Sequence, residues 1–278
     1  MSELFGRRAI VTVDRLELAD FDVSFRIEKT LKPEPNTLEL AIFNLNPDHR
    51  AALEELRPKE ATPTRGIPCK IEAGYGEELS LLWLGDLRTV ESQSNGPDWV
   101  TNLTSGDGEK AYQNARINVS YGPATPLETA LRAMVRALSV DEGNLSKIVS
   151  KLRQGGSAML PAGAGLSGQA ATHLDNFARS ADLEWSIQDG ALQILERGKA
   201  LSTKAIELTP ETGLIGSPTV DNEGLLKARM LVIPDVRPGT LLVVKSQRVE
   251  GNYRTEKAVW DCDTFGGPWY IDVEASRY

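Results

Sequence analysis

Apolar and polar residues alternate along most of the first hundred positions. Phe21, Val23, Phe25 and Ile27 fall on one face of an extended segment, and Leu38, Leu40 and Ile42 on one face of the next. The stretch from Pro33 to Asn36 supplies a proline-bounded turn between them. Period-two patterning predicts further strands at Ala9 to Val13, Ile67 to Tyr75, Leu79 to Ser92 and Trp99 to Ser105. Gly74-Tyr75-Gly76, Asn95-Gly96-Pro97 and Gly106-Asp107-Gly108 separate them as turns. One short helix interrupts: Asn46 suits its cap, Pro47 its first position, and Ala51, Leu53 and Leu56 give it a weak apolar face.

The period changes near Pro123. Thr125-Pro126-Leu127-Glu128 has a capping-box layout, and Leu127, Leu131, Met134, Val135 and Leu138 line one helical face behind it. A second helix is expected from Leu145 to Leu152. A third is capped by Ser167, with Leu174, Phe177, Ala178 and Ala181 turned inward. Between these two, Gly155 to Gly168 reads as an exposed, mobile glycine, alanine and serine loop. Leu183, Trp185 and Ile187 then alternate into Asp189-Gly190, and Leu192 and Ile194 alternate back, a strong hairpin pattern.

Alternation resumes at Ala205 to Leu208, Leu225 to Ile233, Thr240 to Gln247, Tyr253 to Asp261 and Trp269 to Ala275. Pro238-Gly239, Glu250-Gly251-Asn252 and Gly266-Gly267-Pro268 mark the turns. The chain therefore runs β, α+β, β, with segments 1–122, 123–200 and 201–278. That length allows the two β segments to be separate barrels or halves of one sheet system. No residue-level repeat links them.

Composition narrows the function classes. The 278 residues carry 31 Lys and Arg against 39 Asp and Glu, a net charge of −8. That balance argues against a surface that neutralises many phosphates. The two cysteines, Cys69 and Cys262, lie far apart without CxxC spacing and are expected as buried, reduced thiols. With only His49 and His173 beside them, a zinc site would need all four residues to converge from distant parts of the chain, and none is expected. Residues Met1 to Arg8 lack the apolar run of a signal peptide, and no window approaches a membrane span, so a cytoplasmic origin without a membrane anchor is expected.

No motif earns a catalytic, cofactor or metal assignment. Gly163-Ala164-Gly165-Leu166-Ser167-Gly168 spells the dinucleotide pattern, but no βαβ unit surrounds it and no convincing parallel strand leads in. Asp261 and Asp263 fall on one strand face, where two carboxylates repel; a solvated strand end accounts for them. Asp107, between two glycines, reads as a turn residue. His49 is expected exposed in the first turns of its helix, and His173 partly buried and hydrogen-bonded. The five tryptophans, Trp83, Trp99, Trp185, Trp260 and Trp269, all sit in predicted strands without interleaved lysine and arginine, so core packing explains them. An interface role remains open for one or two.

One ordered series does point to a family. The opening Phe25 to Pro47, then Ala73-Gly74-Tyr75-Gly76, Leu81 to Ser92, Trp99 to Thr104 and Gly106-Asp107-Gly108, resembles the first domain of phage tail baseplate hub proteins. Leu183 to Ile194 is similar to the hairpin closing the family's middle domain. Thr212 to Pro218, Leu231 to Gly239, Gly251 to Arg254 and Trp269 resemble its last domain. The resemblance implies two tail-tube-like β-barrel domains flanking a small α+β domain. It also implies a homotrimeric, pseudo-six-fold ring joining the tail tube protein to a central spike protein and lining the DNA channel. Other baseplate proteins and the tape measure protein are further implied partners, and the genome passes without specific binding. On this resemblance the chain is assembled in the host cytoplasm, resides in the virion tail baseplate, and needs no cofactor or catalysis. Two other classes compete: a tail-associated cell-wall or glycan hydrolase, which would use paired acids across a cleft, and a receptor-binding module with an exposed aromatic groove.

Overall fold

The computed structural model describes residues 6–58, 66–154, 156, 159–201 and 204–278. The N-terminal leader reading rests partly on residues 1–5, and the Gly155 to Gly168 loop partly on 155, 157 and 158; these lie outside the described residues. The chain forms two compact units. The first comprises Met1–Lys29, Thr37–Asp107 and Ser202–Tyr278, and the second Thr30–Asn36 and Gly108–Leu201.

The first unit is mainly β. Its N-terminal part carries β1 (Arg7–Val13), β2 (Leu16–Leu18), β3 (Val23–Thr30), β4 (Asn36–Phe43), helix α1 (Pro47–Glu55), β5 (Pro68–Tyr75), β6 (Glu78–Asn95) and β7 (Asp98–Asp107). The alternation predicted for β3 and β4 sets their register: Val23 lies opposite Ile42, Phe25 opposite Leu40 and Ile27 opposite Leu38. All six are buried, each apolar side chain contributing about 1.5–3 kcal/mol on burial. Asn46 caps α1 as expected, its Oδ1 accepting from the His49 amide at 2.8 Å, with Pro47 leading the helix.

The second unit begins with helix α2 (Glu109–Asn114), β8 (Arg116–Tyr121), β9 (Thr125–Pro126), α3 (Leu127–Leu138) and α4 (Leu145–Gln154). It continues with β10 (Met159–Leu160), β11 (Ala164–Gln169), α5 (Ala170–Ser180), β12 (Leu183–Gln188) and β13 (Ala191–Glu196). The apolar face of α3 is buried as predicted, at Leu127, Leu131, Met134, Val135 and Leu138. The β12–β13 hairpin turns on Asp189 and Gly190 at φ +53° and +77°. Two positive φ values match the twist of the flanking strands.

Several expectations need correction here. Residues 164–169 are not a loop: β11 pairs antiparallel with β8, Leu166 opposite Val119. Met159 and Leu160 pair with Pro126 and Thr125. Thr125 and Pro126 are therefore strand residues rather than a capping box, and the Thr125 hydroxyl donates to the Gly122 carbonyl at 2.8 Å. Ser167 does not cap α5, because it lies within β11; Gln169 occupies the cap position without a side-chain cap bond. Helix α2 and strands β2, β8 and β11 are additional to the predicted elements.

The chain then returns to the first unit as β14 (Ile206–Leu208), a 3-10 turn at Pro210–Thr212, β15 (Leu214–Val220), β16 (Leu226–Leu231), β17 (Leu241–Lys245), β18 (Glu250–Asp263) and β19 (Trp269–Arg277). Of these, β15 is a further strand that the alternation had not marked. It is an edge strand containing Pro218 and a register shift between Ile215 and Thr219. The strands of this unit form one 13-stranded sheet ordered β15-β16-β19-β18-β3-β4-β7-β6-β5-β1-β2, with β17 and β14 branching from β18. The two β segments are thus halves of one sheet system, joined where β18 lies beside β3. One continuous core serves both, from Val11 and Trp83 to Trp260 and Val273.

Candidate interaction surfaces

The seam between the two β segments carries an unanticipated side chain. Lys29 occupies the core face of β3, two positions beyond Ile27, and is buried. Its ammonium lies 5.9 Å from the Trp83 ring centroid and 5.7 Å from that of Trp260, one ring from each segment. Trp83 also donates from Nε1 to the Ser105 hydroxyl at 3.0 Å.

Residues singled out by sequence are dispersed. Cys69 and Cys262 are buried and reduced. Burial pushes the Cys69 thiol up from 9.0 to about 12, partly offset by the Ser105 hydroxyl, and raises the Cys262 thiol as well. Neither is a thiolate nucleophile at neutral pH. His173 is half-buried and bonded to the Ser167 carbonyl at 3.0 Å, as expected. His49 is not fully exposed: it is half-buried, edge-on to Phe21 at 5.7 Å. Asp107 is not a turn residue but a buried residue closing β7. Among the described residues, no group of three or more His, Cys, Asp or Glu is placed to hold a metal. No helix there is long and apolar enough to cross a membrane.

The two aspartates singled out at the end of β18 have different tasks. Asp261 accepts from the Tyr270 hydroxyl at 3.3 Å and faces Arg26 at 3.9 Å. Asp263 organises the turn to β19. Its carboxylate accepts from the amides of Phe265 and Gly267 at 2.7 and 3.3 Å. Thr264 exchanges bonds with the Val23 backbone at 2.9 and 3.0 Å, and Arg7 donates to the Gly267 carbonyl at 2.6 Å. This braced turn holds Phe265 out, 82% exposed. Four of the tryptophans are buried, whereas Trp99 is 39% exposed under the Arg50 guanidinium at 3.9 Å.

The outer face of the sheet around β18 is charged and internally paired. Arg229 on β16 makes a two-pronged bond to Asp272 on β19 at 2.7 and 2.9 Å, which holds the guanidinium firmly protonated. Lys257 on β18 meets Glu28 on β3 at 2.6 Å, and Lys227 stands opposite Glu274. A shallow groove of about 330 Å³ crosses this face, with Ile215, Ser217, Lys227, Arg229, Lys257 and Val259 among the residues lining it. A second depression, of about 410 Å³, lies at the far end of the β18–β19 hairpin beside Val220, Leu225 and Tyr253.

The first unit is a mainly β scaffold built on one 13-stranded sheet. The fold of the chain is found in phage tail proteins. The 43 kDa tail protein of prophage MuSo2 from Shewanella oneidensis superposes with a TM-score of 0.67 at 8% identity, over 98% of this chain and 97% of that one. A tail protein from Neisseria meningitidis MC58 gives 0.63 at 10% identity, over 98% and 96%. The Escherichia coli c3393 protein, described as a type VI secretion component similar to T4 tail proteins gp27 and gp5, gives 0.56 at 10% identity, over 96% and 76%. A search of curated protein sequences finds no match. The profile of the baseplate hub gp41 family matches residues 8–275, so the chain belongs to this family of phage tail baseplate hub proteins.

Proposed function

We infer that the chain is a non-catalytic baseplate hub that assembles as a homotrimer. In this reading the β segments that end at Asp107 and resume at Ser202 each contribute one tube-like β-barrel unit, and the α+β unit from Gly108 to Leu201 is the middle domain. Three chains then offer six similar units to a six-fold tail tube and three-fold symmetry to a central spike. Head-to-tail contacts repeated around an axis close such a ring. Other baseplate proteins and the tape measure protein would pack against it after assembly in the host cytoplasm. The genome would cross the bore without being held.

The observation that carries this reading is the family match along residues 8–275. The joining of two β segments in one sheet supports it, since a rigid seam keeps two tube-like units in fixed register. The paired cations on the outer sheet face are also in keeping with it, because a wall that releases duplex must not offer free positive charge.

Native mass measurement of the purified protein, alone and with its tail tube neighbour, tests the proposal. A trimer that binds the tube protein is expected. A monomer with turnover on cell-wall fragments would overturn it in favour of a hydrolase.

A further inference from the structure

We propose that the turn from Asp263 to Trp269 is a clasp: it ties together the two lips of the rolled first β segment, and its release lets that segment open. The proposal does not depend on the trimer. It follows from where this turn, near the end of the last β segment, makes its contacts.

In the order of the sheet, β3 and β1 are separated by β4, β7, β6 and β5. Five strand spacings would hold them about 24 Å apart in a flat sheet. The turn nevertheless touches both. On β3, the Val23 amide donates to the Thr264 hydroxyl at 2.9 Å, and the Thr264 amide donates to the Val23 carbonyl at 3.0 Å. On β1, the Arg7 guanidinium donates to the Gly267 carbonyl at 2.6 Å and to the Asp263 carbonyl at 3.4 Å. The sheet is therefore rolled, and this turn spans its opening.

Trp269 fills the space behind the turn. Its ring lies edge-on to Phe25 of β3 at 6.1 Å and to Tyr75 of β5 at 6.2 Å, and Tyr75 is the partner of Arg7 in the β1–β5 ladder. The Arg7 guanidinium stands 5.9 Å from the same ring. Trp269 is buried, so one side chain gives apolar contact to both lips at once. Strand β2 pairs with β1 at Val11 to Val13, beyond which the Arg7 end relies on β5 and on the clasp. The turn itself is stiff, because the Asp263 carboxylate accepts from the Phe265 and Gly267 amides. A stiff turn bonded to both lips passes the movement of one to the other. The consequence is for packing between proteins: only a tied roll offers its neighbours a surface of fixed curvature.

Amide hydrogen exchange on the full chain tests whether the turn couples the lips. Thr264→Val removes the hydroxyl bonded to Val23 with nearly the same shape, and Arg7→Met keeps an unbranched stem while removing the guanidinium. Each substitution touches one lip, and each should speed exchange on the other. With Thr264→Val, amides at the Arg7–Tyr75 end of the β1–β5 ladder should exchange about tenfold faster; with Arg7→Met, those of Val23 and Thr264 should do so. Amides of the β6–β7 ladder around Val90 and Leu103 should keep their wild-type rates, which separates release of the clasp from loss of global stability. A variant that speeds exchange on its own lip alone, or on neither, would overturn the clasp. A uniform rise across the molecule would overturn it too, making these contacts ordinary contributors to stability. None of these outcomes bears on the oligomeric state, which native mass measurement reads separately.

Discussion

Lys29 shows how one residue can join two distant sequence segments. It follows Val23, Phe25 and Ile27 on the core face of β3, where an apolar residue is the usual occupant. Its methylenes pack in the core while its ammonium lies between the Trp83 and Trp260 rings. Lys29→Ala should therefore lose both packing and cation–π attraction, lowering unfolding free energy by about 3 kcal/mol in urea titration. Lys29→Met keeps the chain length and isolates the charge, with an expected loss of about 1–2 kcal/mol. Equal losses for both would show that packing contributes little. Sequence alone could not expose this residue, because a lysine after three alternating apolar positions looks like a strand's solvated end.

At the scale of elements, legibility follows how local the cause is. Strands β3, β4, β12 and β13 were readable because their alternation and their turn residues sit within a few positions of each other. Helix α3 was readable from its apolar face. Strand β11 was not: Ala164-Gly165-Leu166-Ser167-Gly168-Gln169 has poor strand propensity and is extended because β8 offers a ladder about 45 residues away. The same non-local cause appears where the β3–β4 hairpin tip, Thr30–Asn36, joins the second unit. Asn36 accepts from the Thr30 amide at 3.0 Å and donates to the Ile187 carbonyl at 2.9 Å and to Gln188 at 3.2 Å. Gln188 donates back to the Thr30 carbonyl at 2.8 Å. Every member is buried, so Asn36→Ala strands several polar groups at once. An expected loss of about 2–4 kcal/mol should appear in thermal or urea unfolding, and faster amide exchange at Thr30 should accompany it. Unchanged protection at Thr30 would show that the network is not what orders the tip.

For the whole molecule, the acidic balance matters less than where the cations sit. A chain of net charge −8 still carries 31 Lys and Arg, enough to bind duplex if a face gathered them unpaired. On the sheet face around β18 they are instead matched: Arg229 with Asp272, Lys257 with Glu28, and Arg26 beside Asp261. Such exposed pairs add little stability, about 0–1 kcal/mol each, so their benefit to the fold is small. Their larger effect is on the field, because each carboxylate cancels a charge that a phosphate would otherwise seek. Replacing Glu28 and Asp272 together by lysine releases Lys257 and Arg229 and adds two further cations to the same face. Fluorescence anisotropy with a short labelled duplex should then show binding at about 50 mM salt that weakens steeply as salt rises, log affinity falling by about 0.9 per phosphate neutralised. The wild-type chain should show none under the same conditions. Equal binding by both proteins would mean that the carboxylates on this face do not govern its behaviour toward nucleic acid.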